Sequence, residues 1–180
     1  MARDLIVRAL SKNATTGIAT MGPLSVRCAL GRGGLTHSKR EGDGATPVGR
    51  WPVLVVLYRP DRVRGLYSGG ALAGAMRLHA DDGWCDAAGD RNYNRPVRHP
   101  YPASAEAMWR EDHLYDVVVV LGHNQRPRMQ GGGSAIFLHL ARETDDGGLA
   151  PTAGCVSLKR RDLAVVLGML RPGSAVRVVG

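Results

Sequence analysis

Short apolar runs of five to eight residues, each cut off by glycine, proline or Asp-Gly, constrain the fold of this chain more than any other feature. They recur at 5–10, 24–30, 51–58, 115–121 and 175–179. β-Branched side chains favour extended backbone, and Val117 to Val120 stand in unbroken succession. Between Leu24 and Leu30 apolar and polar residues alternate, as in a strand with one buried face. Gly22-Pro23, the stretch Gly31 to Gly34, Asp43-Gly44 and Thr46-Pro47 supply the turns. Two helices are expected. One opens on Ser104 as N-cap and runs to Arg110; the other covers 161–170, with Asp162 near its start and Arg171-Pro172-Gly173 as its stop. Residues 80–102 are polar and read as a turn-rich loop. The expectation is a mainly β fold with peripheral helices (α+β). The 180 residues, 44% of them apolar, suffice for a single domain spanning 1–180 with its own core.

Two segments carry chemistry. Ile136-Phe137-Leu138-His139 places a histidine at the end of a β-prone run. Sixteen positions later Cys155 follows the small-residue turn Pro151-Thr152-Ala153-Gly154. A cysteine becomes a nucleophile when its thiolate is stabilised, commonly by an imidazole. A glycine before it lets backbone amides approach a developing oxyanion. The plainer alternative is a small apolar core residue and a hydrogen-bonded structural histidine. His123, after Gly122 and before Asn124, is the rival base. The segment 80–102 holds Trp84, Tyr93, Asn94, Arg95 and Tyr101, as a substrate-binding loop would; its Tyr and Trp rings can stack on substrate, and the alternative is a Trp that plugs a small satellite core.

The formal net charge is +8 with a pI near 10.0. The arginines are scattered from Arg3 to Arg177, and no helix-turn-helix, zinc-finger or RNA-recognition pattern appears, so a nucleic-acid partner is not expected. A solvated basic surface and attraction to an acidic polymer both account for the charge. Cys28, Cys85 and Cys155 show no C-x-x-C spacing, which excludes a zinc ribbon, while a Cys28–Cys85 disulfide stays open. Met1–Arg8 has no seven-residue apolar core, and no run is long enough to span a membrane.

His139, a glycine-rich spacer and Thr152-x-Gly154-Cys155-Val156 together resemble the signature of L,D-transpeptidases with a YkuD-type domain. That family pattern is a histidine, a spacer in the middle teens, then Ser/Thr-x-Gly-Cys and an apolar residue. The run Glu41-Gly42-Asp43-Gly44-Ala45-Thr46-Pro47-Val48-Gly49 resembles the family's Glu-Gly-Asp-x-x-Thr-Pro-x-Gly turn. The chain departs from common members at Leu140, where glycine often stands, at Ala153, often histidine or tyrosine, and at Ser157, often arginine or asparagine.

The resemblance implies a YkuD-like β-sandwich or barrel-like fold and two-step acyl transfer on peptidoglycan. Cys155 would be the nucleophile and His139 the base, with the Gly154 and Cys155 amides holding the oxyanion. Thr152, His123, Asn124, Trp84, Tyr93, Arg95 and Arg40 are the candidates for substrate binding, and Lys39 shares the turn with Arg40. No metal or organic cofactor is required. The expected partner is the acidic peptide stem of peptidoglycan, met by a monomer without a transmembrane segment. The expected place is the periplasm or cell envelope, reached by an export signal not visible in Met1–Arg8, with the cytoplasm as alternative. Cross-links of the 3→3 or 1→3 type are the expected products. Hydrolysis of the same thioester, as an L,D-carboxypeptidase or amidase, is the alternative, and a non-catalytic basic binding protein is a remote one.

Overall fold

The computed structural model of the protein describes residues 3–63 and 74–180. In chain order the strands are β1 (Leu5–Ala9), β2 (Thr16–Met21), β3 (Leu24–Ala29), β4 (Leu35–Thr36), β5 (Thr46–Pro47), β6 (Gly49–Tyr58) and β7 (Met76–Arg77). They continue as β8 (Asp82–Cys85), β9 (Pro96–Arg98), β10 (Ala105–Ala107), β11 (Val117–Leu121), β12 (Phe137–Leu140) and β13 (Val156–Leu158). Helix α1 (Arg160–Met169) and β14 (Ala175–Val179) follow.

The main sheet closes on itself. Its order is β11-β12-β13-β3-β2-β1-β14-β6-β7, and β6 also pairs with β11. The length of β6 makes this possible. Gly49 to Pro52 pair with β14, and Val53 to Tyr58 pair with β11, so one strand joins both ends of the ring. Closure into a barrel-like sheet removes the unpaired edges an open sheet would leave. Leu5, Val7, Met21, Cys28, Val56 and Val176 fill the main core, together with Leu163, Val166 and Leu167 of α1.

A second, smaller sheet of order β10-β8-β9 covers the opposite face of β11 and β12. Its Trp84 and the following Met108 pack with Tyr115, Val118, Val120, Phe137 and Cys155 in a separate cluster.

Two expectations change and one open alternative closes. Residues 82–98, read as loop, contain β8 and β9, whose turn-forming residues mask a pairing of Asp82, Gly83 and Trp84 with Arg98, Val97 and Pro96. The helix expected from Ser104 to Arg110 is instead β10. Ala105, Glu106 and Ala107 pair with Cys85, Trp84 and Gly83, and this extended path delivers Met108, 1% exposed, into the second cluster. Sheet pairing overrides a weak local helix preference. Among the described residues α1 is the single α-helix. Finally, Cys28, Cys85 and Cys155 are all buried and free, so no disulfide joins Cys28 to Cys85.

Candidate active site

The backbone alternation of β12 and β13 sets the site. Leu138 and Leu140 point into the main core, which sends Phe137 and His139 to the other face. β13 runs parallel to β12, with Val156 opposite Leu138 and Ser157 opposite His139. Val156 belongs to the main core and Cys155, just before it, to the second cluster. His139, Ser157 and Cys155 thus line one cavity of about 540 Å³.

The turn before Cys155 is held from within. The Thr152 hydroxyl donates to the Cys155 carbonyl at 2.7 Å and accepts the Gly154 amide at 3.1 Å. Gly154 has φ +138°, and a Cβ there would meet the Ala45 carbonyl at 3.0 Å, so both conformation and space favour glycine. The Gly154 amide is therefore engaged by Thr152, whereas the Cys155 amide has no hydrogen-bond partner among the described residues. Thr46, fully buried, ties the Thr-Pro turn to the same place: it accepts the Gly31 amide at 2.8 Å and donates to the Cys155 carbonyl at 3.4 Å.

Cys155 Sγ donates to the Ala135 carbonyl at 3.2 Å and accepts the Phe137 amide at 3.3 Å. His139 Nδ1 bonds the Leu140 carbonyl at 2.8 Å. That contact requires a proton on Nδ1 and leaves the lone pair on Nε2. Burial holds the imidazole down to about 4 and pushes the thiol up to about 12, with the nearby Glu106 charge adding to the latter. At neutral pH the two groups rest as neutral thiol and neutral imidazole, not as an ion pair. The Tyr115 ring stands edge-on to His139, centroids 5.2 Å apart, and its hydroxyl donates to Glu106 at 2.7 Å.

The remaining residues singled out from sequence fall in different places. Thr152 lines the cavity. Lys39, with a side chain only 6% exposed, turns inward to pair with Asp43. Its Nζ lies 3.4 Å from where a Gly154 Cβ would be, and its charge favours the Cys155 thiolate. Arg40 and Arg95 are exposed and outside the cavity lining. Trp84 and Tyr93 are buried: the indole donates to Asn94 at 2.9 Å and packs edge-on to Phe137, and the Tyr93 hydroxyl donates to Glu41. Neither ring lines the cavity. His123 packs edge-on to Trp51 at 4.7 Å and bonds the Gly132 carbonyl through Nε2 at 2.9 Å. Asn124, at φ +49°, bonds the Met129 amide and the Met129 and Gly133 carbonyls. Both lie outside the cavity lining and shape the loop whose far end, Ser134 and Ala135, does line it.

Asn94 stands out in the sequence only as one of the residues of the 80–102 segment, with no role of its own. It is 2% exposed and accepts both the Trp84 indole N–H and the Ala135 amide, while donating to the His123 and Asn124 carbonyls. It thereby holds the residue, Ala135, whose carbonyl receives the Cys155 thiol. Its φ of +55° in an Asn is the sequence-level hint, since asparagine tolerates the left-handed region. Arg32, Arg110 and Arg142 also line the cavity.

A barrel-like sheet closed by β6, with His139 on β12 and Cys155 in the turn that enters β13, defines a class of β-rich domain, and the comparison with protein families gives that class its name. The profile of the L,D-transpeptidase catalytic domain, YkuD, matches residues 15–178, nearly the whole chain. The chain belongs to the L,D-transpeptidase catalytic-domain family, whose activity concerns peptidoglycan. No curated protein and no solved structure matches it. Among the described residues no helix is long and apolar enough to cross a membrane.

Proposed function

We propose that the protein is a peptidoglycan L,D-transpeptidase acting at the cell envelope, with Cys155 as nucleophile and His139 as general base. The observation that carries this reading is that both side chains reach one cavity, His139 from β12 and Cys155 from the turn entering β13, with His139 Nε2 left free by the Nδ1 contact to Leu140. The thiol rotates its proton from the Ala135 carbonyl to His139 Nε2 as sulfur attacks a peptide carbonyl of the donor stem. The Phe137 amide remains on sulfur, and Lys39 lies on the side of Gly154, so the emerging thiolate meets a dipole and a positive charge. The Cys155 amide is available to the oxyanion. The imidazolium returns its proton to the leaving amine, giving a thioester. Attack by the amine of a second stem, whose proton passes to His139, forms the cross-link and frees the thiol.

The test is incubation with purified muropeptides and mass analysis of the products. Cross-linked dimers are the expected outcome, and the position of the new bond assigns them as 3→3 or 1→3. Shortened monomers alone would make the protein an L,D-carboxypeptidase. Cys155→Ala is expected to lower either activity at least about a thousandfold. Turnover that survives His139→Ala but fails in His123→Ala would identify His123 as the base.

A further inference from the structure

Three carboxylates, Glu41, Asp86 and Glu106, stand in the wall of the cavity that contains Cys155 and His139. They come from separate segments: the turn before β5, the end of β8, and β10. Two of them are held by neutral donors. The Tyr93 hydroxyl donates to Glu41, and the Tyr115 hydroxyl donates to Glu106 at 2.7 Å. The Asp86 Oδ1 atom is buried with no hydrogen-bond partner. Among the described residues neither Glu41 nor Asp86 pairs with a cation. Glu106 has Arg110 at 3.9 Å, but that guanidinium spends its forked face on Asp112.

A second observation points to a ligand in the same corner. Ser134 is 7% exposed and lines the cavity; its Oγ completes no hydrogen bond of normal geometry and has only the Tyr93 hydroxyl, already given to Glu41, as a polar neighbour. A buried, unpaired polar atom costs about 1–3 kcal/mol. Carboxylates gathered together also repel one another: burial pushes the Glu106 carboxyl up, the Tyr115 hydrogen bond and the Arg110 charge oppose this, and the charges of Asp86 and Glu41 add to the rise. In a chain carrying a net charge of +8, Glu41 and Asp86 have no ion-pair partner among the described residues, and Glu106 has only Arg110 at 3.9 Å. A ligand that brings a positive charge and N–H donors would satisfy all of them.

We propose that Glu41, Asp86 and Glu106, with the Ser134 hydroxyl, form the subsite that receives the primary ammonium group of the acyl acceptor next to Cys155. This rests on the transpeptidase reading above and deepens it. Acyl transfer to a second stem brings such an ammonium into the cavity; it gives one proton to a carboxylate of the wall, and the amine so freed attacks the thioester and passes its second proton to His139, whereas hydrolysis needs only water. The arginines of the cavity remain for carboxylates of the stems, so charge along the wall separates the amine of the acceptor from the anionic groups.

The test compares wild type, Glu41→Gln, Asp86→Asn and the double variant, with exposed Asp145→Asn as control. Each is given a donor stem and an acceptor stem bearing a free diaminopimelate amine. The ratio of cross-linked dimer to hydrolysed monomer measures how the thioester divides between amine and water, whatever the rate of its formation. The double variant is expected to lower this ratio at least tenfold and Asp145→Asn to leave it unchanged. Calorimetric binding of the same acceptor to each protein provides a second readout that requires no turnover. The double variant should bind it as weakly as wild type binds an acceptor with its amine acetylated. An unchanged ratio, or binding insensitive to both substitution and acetylation, would overturn the proposal. If no donor forms a thioester, the transpeptidase reading falls, while the binding measurement still decides whether the ammonium subsite exists.

Discussion

The two faces of β11 and β12 carry opposite chemistry on one backbone. Val117, Val119, Leu121, Leu138 and Leu140 lie in the main core with α1. One residue along, Val118, Val120, Phe137 and His139 face the small sheet and the cavity. The first face is apolar and closed. The second mixes aromatic packing with polar groups that have gaps in their hydrogen bonding, including the unpaired Ser157 hydroxyl beside His139. The difference teaches that the two-residue period of a strand separates stability from reactivity at a distance of one peptide.

The sharpest way to break this comparison is to damage the closed face alone. Leu138→Ala, at a position with no exposure, is expected to destabilise the fold by about 2–5 kcal/mol in urea titrations. In the fraction that remains folded, kcat/KM should stay within a few-fold of wild type. A loss of activity as deep as that of Cys155→Ala, with stability unchanged, would show that the faces are not separate.

A smaller effect comes from pH. The His139 ring, held near 4 by burial against an ordinary value of 6.5, is neutral in both folded and unfolded chains above pH 6.5, and its stability contribution is fully present there. As pH falls from 6.5 toward 4, the unfolded chain takes up a proton that the folded chain refuses. Stability should drop by about 3 kcal/mol across that window. Urea melts at pH 7 and 4.5 measure it, and His139→Gln should flatten the difference. A variant with the wild-type slope would assign the acid loss to other groups.

The smallest effect concerns Lys39. Lys39→Met removes the cation on the Gly154 side of the nucleophile and should slow thioester formation about tenfold, equivalent to about 1.4 kcal/mol. Asp43 keeps the Arg40 and Ala45 amides, so the turn itself should survive. Stopped-flow acylation followed by intact-mass analysis checks it, and an unchanged rate would leave Lys39 with a purely structural task.

Much of the main sheet was legible in the sequence because its strands advertise themselves with branched apolar side chains. Strand β2 did not: Gly17 and Ala19 supply its buried face, and a Cβ at Gly17 would lie 2.4 Å from the Arg8 carbonyl. Close approach of backbones there demands the very residues that hide a strand from pattern reading. The small sheet was illegible for another reason. Its strands are three or four residues long and owe their form to partners 12 to 24 positions away. At the site, His139 and Cys155 could be named from their spacing, and the structure brings them to one cavity. The inward turn of Lys39, the burial of Trp84 and Tyr93 and the hub at Asn94 could not, because each depends on which surface the small sheet covers.

Strand β14 sits between β1 and β6, so the last strand of the ring pairs with the first, Leu5 against Val176. Neither β1 nor β6 has its full set of partners until that strand arrives. During synthesis every group of the site, from Lys39 through Cys155, is on hand before the ring can shut. Contacts this far apart in sequence form late. A chain halted short of β14 would hold the nucleophile, the base and the carboxylate wall, and have no closed barrel to keep them in place.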